Sequence, residues 1–175
     1  MPMKKVLAAV MGLLPAVYLL CLGLSFLLDS QDEPLLVMML GYCAAALAIH
    51  IAYSARTARS SRRFQAVSNL WICSVNFAFL LAEIILWLVQ LRGVRLAEAE
   101  GAMGGGLGLL LLIILYLPHW FSYFLTRIVS TVSCYRALQG IVPVNARLVF
   151  SLLQLIPGAD VISAVLVLRR VKKSQ

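Results

Sequence analysis

One acidic residue of this chain is surrounded by apolar side chains. Glu83 is the only charged residue in the segment FAFLLAEIILWLV, which runs from Phe77 to Val89. A carboxylate inside such a segment predicts a functional site or a buried pair, because an unpaired charge among apolar groups is costly. The side chain could be neutral and donate one hydrogen bond, or ionised and paired with a cation.

Several polar side chains lie at a depth similar to that of Glu83 when residues are counted along neighbouring apolar segments. Asn76 is two helical turns away on the same helix face. Tyr42, Tyr116 and His119 lie at comparable levels on adjacent segments. We predict an intramembrane polar cluster of these five residues, and the sequence leaves open whether their helix faces converge.

Three roles for Glu83 follow from this placement. The first is an interhelical hydrogen bond, which in membranes contributes about 0.6 kcal/mol on average. The second is proton or ion coupling, and the third is contact with a charged residue of another subunit. The chain has no HExxH or GxSxG motif, and its four cysteines form no CxxC pair. We therefore predict no metal, no cofactor and no enzyme activity.

The composition indicates that most of the chain is not surrounded by water. Of its 175 residues, 62% are apolar and 13% are charged, whereas soluble domains carry roughly a quarter charged residues. The net charge is +8. The basic residues form short clusters between apolar segments, which argues against a nucleic-acid-binding protein and is typical of a polytopic membrane protein.

Four apolar segments are long enough to cross a bilayer as helices, which takes about 20 residues. They cover residues 6–28, 35–53, 67–91 and 107–127. Lys4 and Lys5 make a signal peptide an alternative for the first segment, but no A-x-A cleavage site follows, so we predict an uncleaved helix. The predicted fold class is all-α, with a four-transmembrane-helix bundle formed by residues 1–138.

The basic residues predict the orientation of these helices. With the N-terminus in the cytoplasm, four crossings leave thirteen Lys and Arg residues inside and two, Arg92 and Arg95, outside. This asymmetry places both termini in the cytoplasm. The outer connections are then residues 29–34 and 92–106, the second containing a glycine tract. Short loops and a high Ala and Leu content favour a bacterial inner (cell) membrane protein.

Residues 139–175 form the second predicted unit, a C-terminal helical hairpin with a basic tail. Residues 148–168 are long enough for a fifth crossing, but they contain Pro157, Gly158 and Asp160. A crossing would also export the cations at the end of the chain, against the charge rule. The alternative is a re-entrant or interfacial hairpin at the cytoplasmic face that turns at Pro157 and Gly158, with Asp160 capping its second helix.

Two sets of residues could form contact surfaces. The first is basic and either anchors the topology or binds anionic lipid head groups or an acidic partner: Arg56, Arg59, Arg62, Arg63, Arg169, Arg170, Lys172 and Lys173. The second consists of small residues on the second helix, where backbones can approach closely within the bundle or between subunits: Gly41, Ala44, Ala45, Ala48 and Ala52.

These features favour two functions of different classes. The first is a non-enzymatic accessory or scaffold subunit of a larger membrane assembly, with a membrane-protein partner or a homo-oligomer. The second is a small oligomeric transporter or channel that uses Glu83 for coupling or selectivity. A membrane enzyme acting on lipid ranks third, with Glu83 and His119 as its only acid and base.

Overall fold

The protein is helical throughout the part that the structure describes. This computed structural model describes residues 2–27, 32–99 and 105–174, and no strand occurs among them. The predicted end of the first span at Leu28, residues 29–31 and the glycines at 101 and 104 lie outside these ranges. The elements are α1 (Pro2–Leu27), α2 (Asp32–Thr57), α3 (Arg62–Ala99), α4 (Gly105–Ala137), α5 (Val144–Leu152), a 3₁₀ turn (Leu153–Leu155) and α6 (Ala159–Lys173).

Four of these helices are long and apolar enough to cross a membrane, which confirms the predicted all-α class and the number of long apolar helices. The qualifying segments are Met3–Cys21, Val37–Thr57, Arg62–Leu96 and Gly108–Ala137. Much of their outward surface is apolar, for example Val37 and Val89, which are 70% and 65% exposed. Such a surface suits a hydrocarbon solvent.

Helix α3 is longer than the apolar segment that predicted it. It contains 38 residues and therefore spans about 57 Å at 1.5 Å per residue. The outer connection expected to start at Arg92 is helical through Ala99. Residues 92–99 have the sequence RGVRLAEA, in which Arg, Leu, Ala and Glu are strong helix formers, so the helix continues after the apolar segment ends.

Helix α3 lies at the centre of the packing. It contacts α1, α4 and α6, while α2 packs against α1 and α4. Apolar clusters join these helices, one of them formed by Leu14, Tyr18, Tyr42 and Ala46 of α1 and α2. The packing brings the polar side chains of α1, α2, α3 and α4 to a shared interior.

The C-terminal residues form an antiparallel helical pair. Helix α5 packs against α4, and α6 packs against α3. The Ser163 hydroxyl donates to the carbonyl oxygen of Phe150 at 2.8 Å, and the guanidinium of Arg170 lies 5.2 Å from the centre of the Phe150 ring. The chain reverses near Gly158, whose φ of 83° favours glycine. Residues 148–168 therefore do not form one continuous helix.

The turn of this pair lies well along α3. A side-chain carbon placed on Gly158 would be 3.6 Å from the Phe77 ring, and Phe77 is about 22 Å from the start of α3 at 1.5 Å per residue. At its other end, α6 packs Val167 and Val171 against Ala66 near the beginning of α3. Helix α6 is thus antiparallel to α3.

Candidate functional site

Glu83 of α3 is paired with His119 of α4 inside the helical packing. Their side chains are 3% and 1% exposed, and Nε2 of His119 lies 2.7 Å from Oε2 of Glu83. The two atoms are within ion-pair distance, although they do not form a hydrogen bond. The carboxylate is therefore covered by a neighbouring helix, and its placement in an apolar segment is explained by this partner.

Tyrosines of α1 and α2 continue the polar interior from His119. The ring of Tyr18 lies 6.3 Å from that of His119 and 4.6 Å from that of Tyr42, measured between centres. The Tyr18 hydroxyl donates to the carbonyl oxygen of Leu115 in α4, and the Tyr42 hydroxyl donates to that of Leu14 in α1 at 3.4 Å. Tyr18 thus joins three helices.

The other two members of the predicted cluster make different contacts. The Tyr116 hydroxyl donates to Oε1 of Gln90 at 2.9 Å, in the C-terminal part of α3. The Asn76 amide donates to the carbonyl oxygen of Ile72 in its own helix at 2.9 Å. His119 therefore contacts Glu83 directly, and the ring of Tyr18 lies between those of His119 and Tyr42. The polar atoms of Tyr116 and Asn76 bond to Gln90 and to the backbone of α3 instead.

A cavity of about 180 Å³ lies beside the carboxylate of Glu83. Its lining consists of Leu80, Glu83, Ile84, Trp87 and Trp120. Ile84 and Trp120 are 46% and 43% exposed, so the cavity opens at the apolar outer surface between α3 and α4. Among the described residues, Oε1 of Glu83 and the indole Nε1 of Trp87 are buried and have no hydrogen-bond partner.

A second buried ion pair connects α4 with the C-terminal helical pair. Arg127 and Asp160 form a salt bridge, with side chains that are 4% and 0% exposed. The guanidinium also donates to the Tyr123 hydroxyl and to the carbonyl oxygen of Gln154 at 3.3 Å. Asp160 stands in the first turn of α6, where the helix dipole favours a negative charge.

Gln154 extends this pair to α3. Its Oε1 accepts hydrogen bonds from Nδ2 of Asn69 at 3.0 Å and from the thiol of Cys73 at 3.2 Å, while its Nε2 donates to the carbonyl oxygen of Asp160 at 3.3 Å. Gln154 is fully buried. Its amide therefore fixes the 3₁₀ turn between α3 and the start of α6.

Sequence reasoning assigned no contact role to Arg127, Gln154, Asn69 or Tyr18. Two signals pointed toward the pair. Asp160 is the only acidic residue after Glu100, and Arg127 follows His119 and Tyr123 at intervals of four residues. That spacing puts all three on one face of α4, but nothing local in the sequence shows what covers that face.

The basic residues predicted as a contact surface are all exposed. Each of the eight side chains, from Arg56 to Lys173, is exposed to the surroundings of the protein. None of them forms a salt bridge with a described carboxylate. Arg62 lies beside Gly140, so that a side-chain carbon there would be 3.2 Å from its guanidinium. These cations therefore remain available to an anionic surface.

The small residues of α2 lie on its outer surface. Gly41, Ala44, Ala45 and Ala48 are exposed and Ala52 is partly exposed. The packing within the chain uses another face of α2, in which Ala46 is fully buried. These small residues therefore face away from the packing among the described helices, because Tyr42 and His50 lie on the inward face of α2, and their contact with another subunit stays a prediction.

Among the described residues, no group of three or more His, Cys, Asp or Glu side chains could hold a metal ion. No match to the chain was found among protein-family models, curated proteins or solved structures.

Proposed function

We propose that this chain is an integral protein of a bacterial inner membrane, with four transmembrane helices and both termini in the cytoplasm. The length and apolarity of α1 to α4 support this proposal, as does the excess of basic residues on the side where the termini lie. The eight exposed cations then face anionic lipid head groups, each contributing about 1 kcal/mol of attraction near the surface.

The C-terminal helical pair is a re-entrant hairpin in this proposal. Its turn at Gly158 lies beside Phe77, at the level of apolar surface on α3, and its basic end lies at the cytoplasmic side. Backbone that is not part of a spanning helix is tolerated at such depth only when protein covers it. The buried contacts of Arg127, Gln154 and Asp160 supply that cover.

The protein acts as a non-enzymatic accessory or scaffold subunit that binds a transmembrane helix of another membrane protein. The observation that carries this proposal is the exposed strip of Gly41, Ala44, Ala45 and Ala48 on α2. Small residues at intervals of four let a second helix approach closely, and close approach is what stabilises helix pairs in lipid. Among the described residues, no side chain lies within 4 Å of a carbon placed on Gly41, so none of them covers the strip at that position.

Purification in a mild detergent tests the scaffold role. We expect the wild-type chain to be isolated with a larger membrane protein at a fixed ratio. The double variant Ala44→Leu and Ala48→Leu fills the strip and should lose that partner. The matched control is Ala82→Leu, because Ala82 is an exposed alanine of α3 outside the strip. Retention of the partner by the double variant, or its equal loss in the control, would contradict the proposed surface. A homo-oligomer lost only in the double variant would assign the strip to self-association.

A second candidate is a small oligomeric transporter or channel in which Glu83 couples or selects the transported species. The cavity beside Glu83 favours it, because this acidic residue is one of those that line a space open to the surface. Reconstituted Glu83→Gln should then lose transport while it assembles normally. If the variant instead loses its partner and wild-type vesicles transport nothing, the scaffold role is favoured.

A further inference from the structure

A polar cavity lies between the turn that follows α2 and the end of α4. It is lined by two arginines, two glutamines, one serine and one alanine: Ala58, Ser60, Arg62, Gln65, Arg136 and Gln139. Its volume of about 250 Å³ equals that of roughly eight water molecules in the liquid, which is enough for a phosphate group with a small substituent. None of the described residues that line it is acidic.

The two arginines of this cavity carry charges that no described carboxylate balances. Arg62 is exposed and Arg136 is partly exposed, and the two ion pairs among the described residues join other side chains. The guanidinium of Arg62 lies beside Gly140, where a side-chain carbon would be 3.2 Å from it, so it lies near the residues that follow α4. A guanidinium is a rigid fork of donors that matches the geometry of a phosphate. Two of them at one cavity therefore favour a phosphate as its occupant.

Gln65 joins the two ends of the turn beside this cavity. Its Nε2 donates to the carbonyl oxygen of Thr57 at 2.9 Å and to that of Ser60 at 3.4 Å. These bonds stabilise the turn that carries Ser60 and leads to Arg62. The Oε1 of Gln65 is buried, so this acceptor does not repel an anion at the mouth of the cavity.

An apolar groove between α2 and α4 adjoins the polar cavity. Its volume is about 420 Å³, and the two spaces share Ala58 and Arg136. Ile51 and Ile128 are 60% and 43% exposed, so the groove opens at the apolar outer surface. Besides the two shared residues, it is lined by His50, Ser54 and six aliphatic side chains: Leu47, Ile51, Ala55, Leu125, Ile128 and Val129.

The groove has about the length of one bilayer leaflet. It extends along α2 from Ala58 back to Leu47, and along α4 from Arg136 back to Leu125. Each of these intervals measures about 16 Å at 1.5 Å per residue, and half of the hydrocarbon core of a bilayer is about 15 Å thick. A lipid with its phosphate at Arg136 would therefore lay an acyl chain along the groove within its own leaflet.

Other occupants suit the combined lining less well. A soluble phosphate would contact the arginines but leave the apolar groove empty. A zwitterionic phospholipid would fill the groove, but it would bring an ammonium group close to two guanidinium groups. A neutral lipid would fill the groove and leave both cations without an anion. A phospholipid with a net negative charge satisfies the arginines and the groove together.

We propose that the polar cavity and the apolar groove together bind one anionic phospholipid of the cytoplasmic leaflet. Arg62 and Arg136 donate to its phosphate, and one acyl chain lies between α2 and α4. This inference rests on the membrane placement proposed above. It goes beyond a general attraction of the exposed cations to lipid, because it assigns one lipid to one site and includes Arg136, which is not one of those eight cations. The site requires neither a protein partner nor Glu83.

Native mass spectrometry of the full-length chain in a neutral detergent tests the proposal. The probes are dioleoyl-phosphatidylglycerol and dioleoyl-phosphatidylcholine, which share their acyl chains and differ in net charge. We expect the first phosphatidylglycerol to bind about tenfold to thirtyfold more tightly than the first phosphatidylcholine, because each of the two arginines contributes about a factor of five toward an anionic lipid. Equal affinity for the two lipids overturns the proposal.

A third probe separates a lipid from a soluble anion. Glycerol 3-phosphate carries the phosphate without acyl chains, and at the same concentration as the lipid it should not displace phosphatidylglycerol. Equal competition by glycerol 3-phosphate would assign the polar cavity to a soluble anion and would overturn the lipid site.

Variants of the two arginines locate the phosphate. Arg136→Gln should lower the preference for phosphatidylglycerol about fivefold, and the double variant Arg62→Gln and Arg136→Gln should remove it. Arg63→Gln is the matched control, since Arg63 is the exposed neighbour of Arg62 in the chain and lines neither the cavity nor the groove. An unchanged preference in the double variant, or an equal loss in Arg63→Gln, contradicts the assignment.

A second pair of variants locates the acyl chain. Ala55→Phe fills part of the groove and should weaken the binding of both lipids while the ratio of their affinities stays the same. Its control is Ala82→Phe, because Ala82 is an exposed alanine of α3 that lines neither space. Undiminished binding in Ala55→Phe, or an equal loss in Ala82→Phe, would refute the position of the chain.

Membrane insertion is measured separately, so that failure of the site and failure of the proposed function are distinguishable. The wild type and the double arginine variant should both stay in membranes washed with alkaline carbonate, and both should keep the partner expected for the small-residue strip of α2. An inserted chain without a preference for phosphatidylglycerol refutes the lipid site alone. A chain that carbonate extracts refutes the integral membrane placement on which the site rests.

Discussion

The buried pair of Arg127 and Asp160 provides the strongest test of how the C-terminal hairpin is held. The variant Asp160→Ala removes the carboxylate that accepts from the guanidinium. Arg127, which is 3% exposed, would then keep the Tyr123 hydroxyl and the Gln154 carbonyl oxygen at 3.3 Å as its partners. Neither of these neutral groups balances its charge, so the variant leaves an uncompensated cation in the interior.

The size of the effect follows from the burial of both groups. Removing one partner of a buried ion pair costs about 3–5 kcal/mol. The cost falls on the docking of α5 and α6, because Asp160 is in the first turn of α6 while α1 to α4 keep their own contacts. At 1.4 kcal/mol for each factor of ten, the undocked fraction of the hairpin should rise by about 10²-fold to about 4 × 10³-fold.

Hydrogen exchange measured by mass spectrometry reports this opening. In detergent, amides of residues 153–162 should exchange much faster in Asp160→Ala than in the wild type. The amides of α3 near Glu83, which face Tyr116 and His119 of α4, should keep their rates. The double variant Arg127→Leu and Asp160→Ala removes both charges. It should recover at least half of the lost protection, since an apolar pair avoids the unpaired cation.

Two results would refute this reasoning. Unchanged exchange of residues 153–162 in Asp160→Ala would mean that the pair does not hold the hairpin. A double variant as destabilised as the sum of its single variants would mean that the loss comes from packing around Asp160, which is fully buried, and not from the unpaired charge of Arg127.

Two further substitutions test the turn and its connection to α3. Gly158→Ala should destabilise hairpin docking by about 1 kcal/mol or more in the same exchange measurement, because Gly158 has φ 83°. The control Gly41→Ala, at a position on α2 with open space around it, should be neutral or stabilising. Gln154→Leu should cost about 1–3 kcal/mol by leaving Nδ2 of Asn69 without its acceptor, and adding Asn69→Leu should recover part of that loss in thermal unfolding. A cost for Gly41→Ala equal to that of Gly158→Ala would contradict the first expectation, and full additivity of the two Leu substitutions would contradict the second.

The long helices could be predicted because apolarity and helix length are local properties of the sequence. Depth along a helix is almost as local, since each residue advances about 1.5 Å, and the sequence therefore predicts that His119 lies near the level of Glu83. The direction in which a side chain points around the helix axis is not local, because it depends on which other helices pack against that helix. On α2, for example, Gly41 and Ala44 face outward, whereas Tyr42 and Ala46 of the same apolar segment are buried.

The same limit explains why the sequence predicts for Arg127 only a place among the thirteen cytoplasmic Lys and Arg residues. An arginine near the end of an apolar helix usually reaches the head groups, and the sequence around Arg127 contains nothing that opposes this. Its partner Asp160 is 33 residues later and reaches it only because the chain turns back beside Phe77. The complete burial of Asp160 is favourable only next to Arg127, since an unpaired carboxylate away from water is costly. The burial of neither residue has a local explanation, and the docking of the hairpin is the one arrangement among the described residues that explains both.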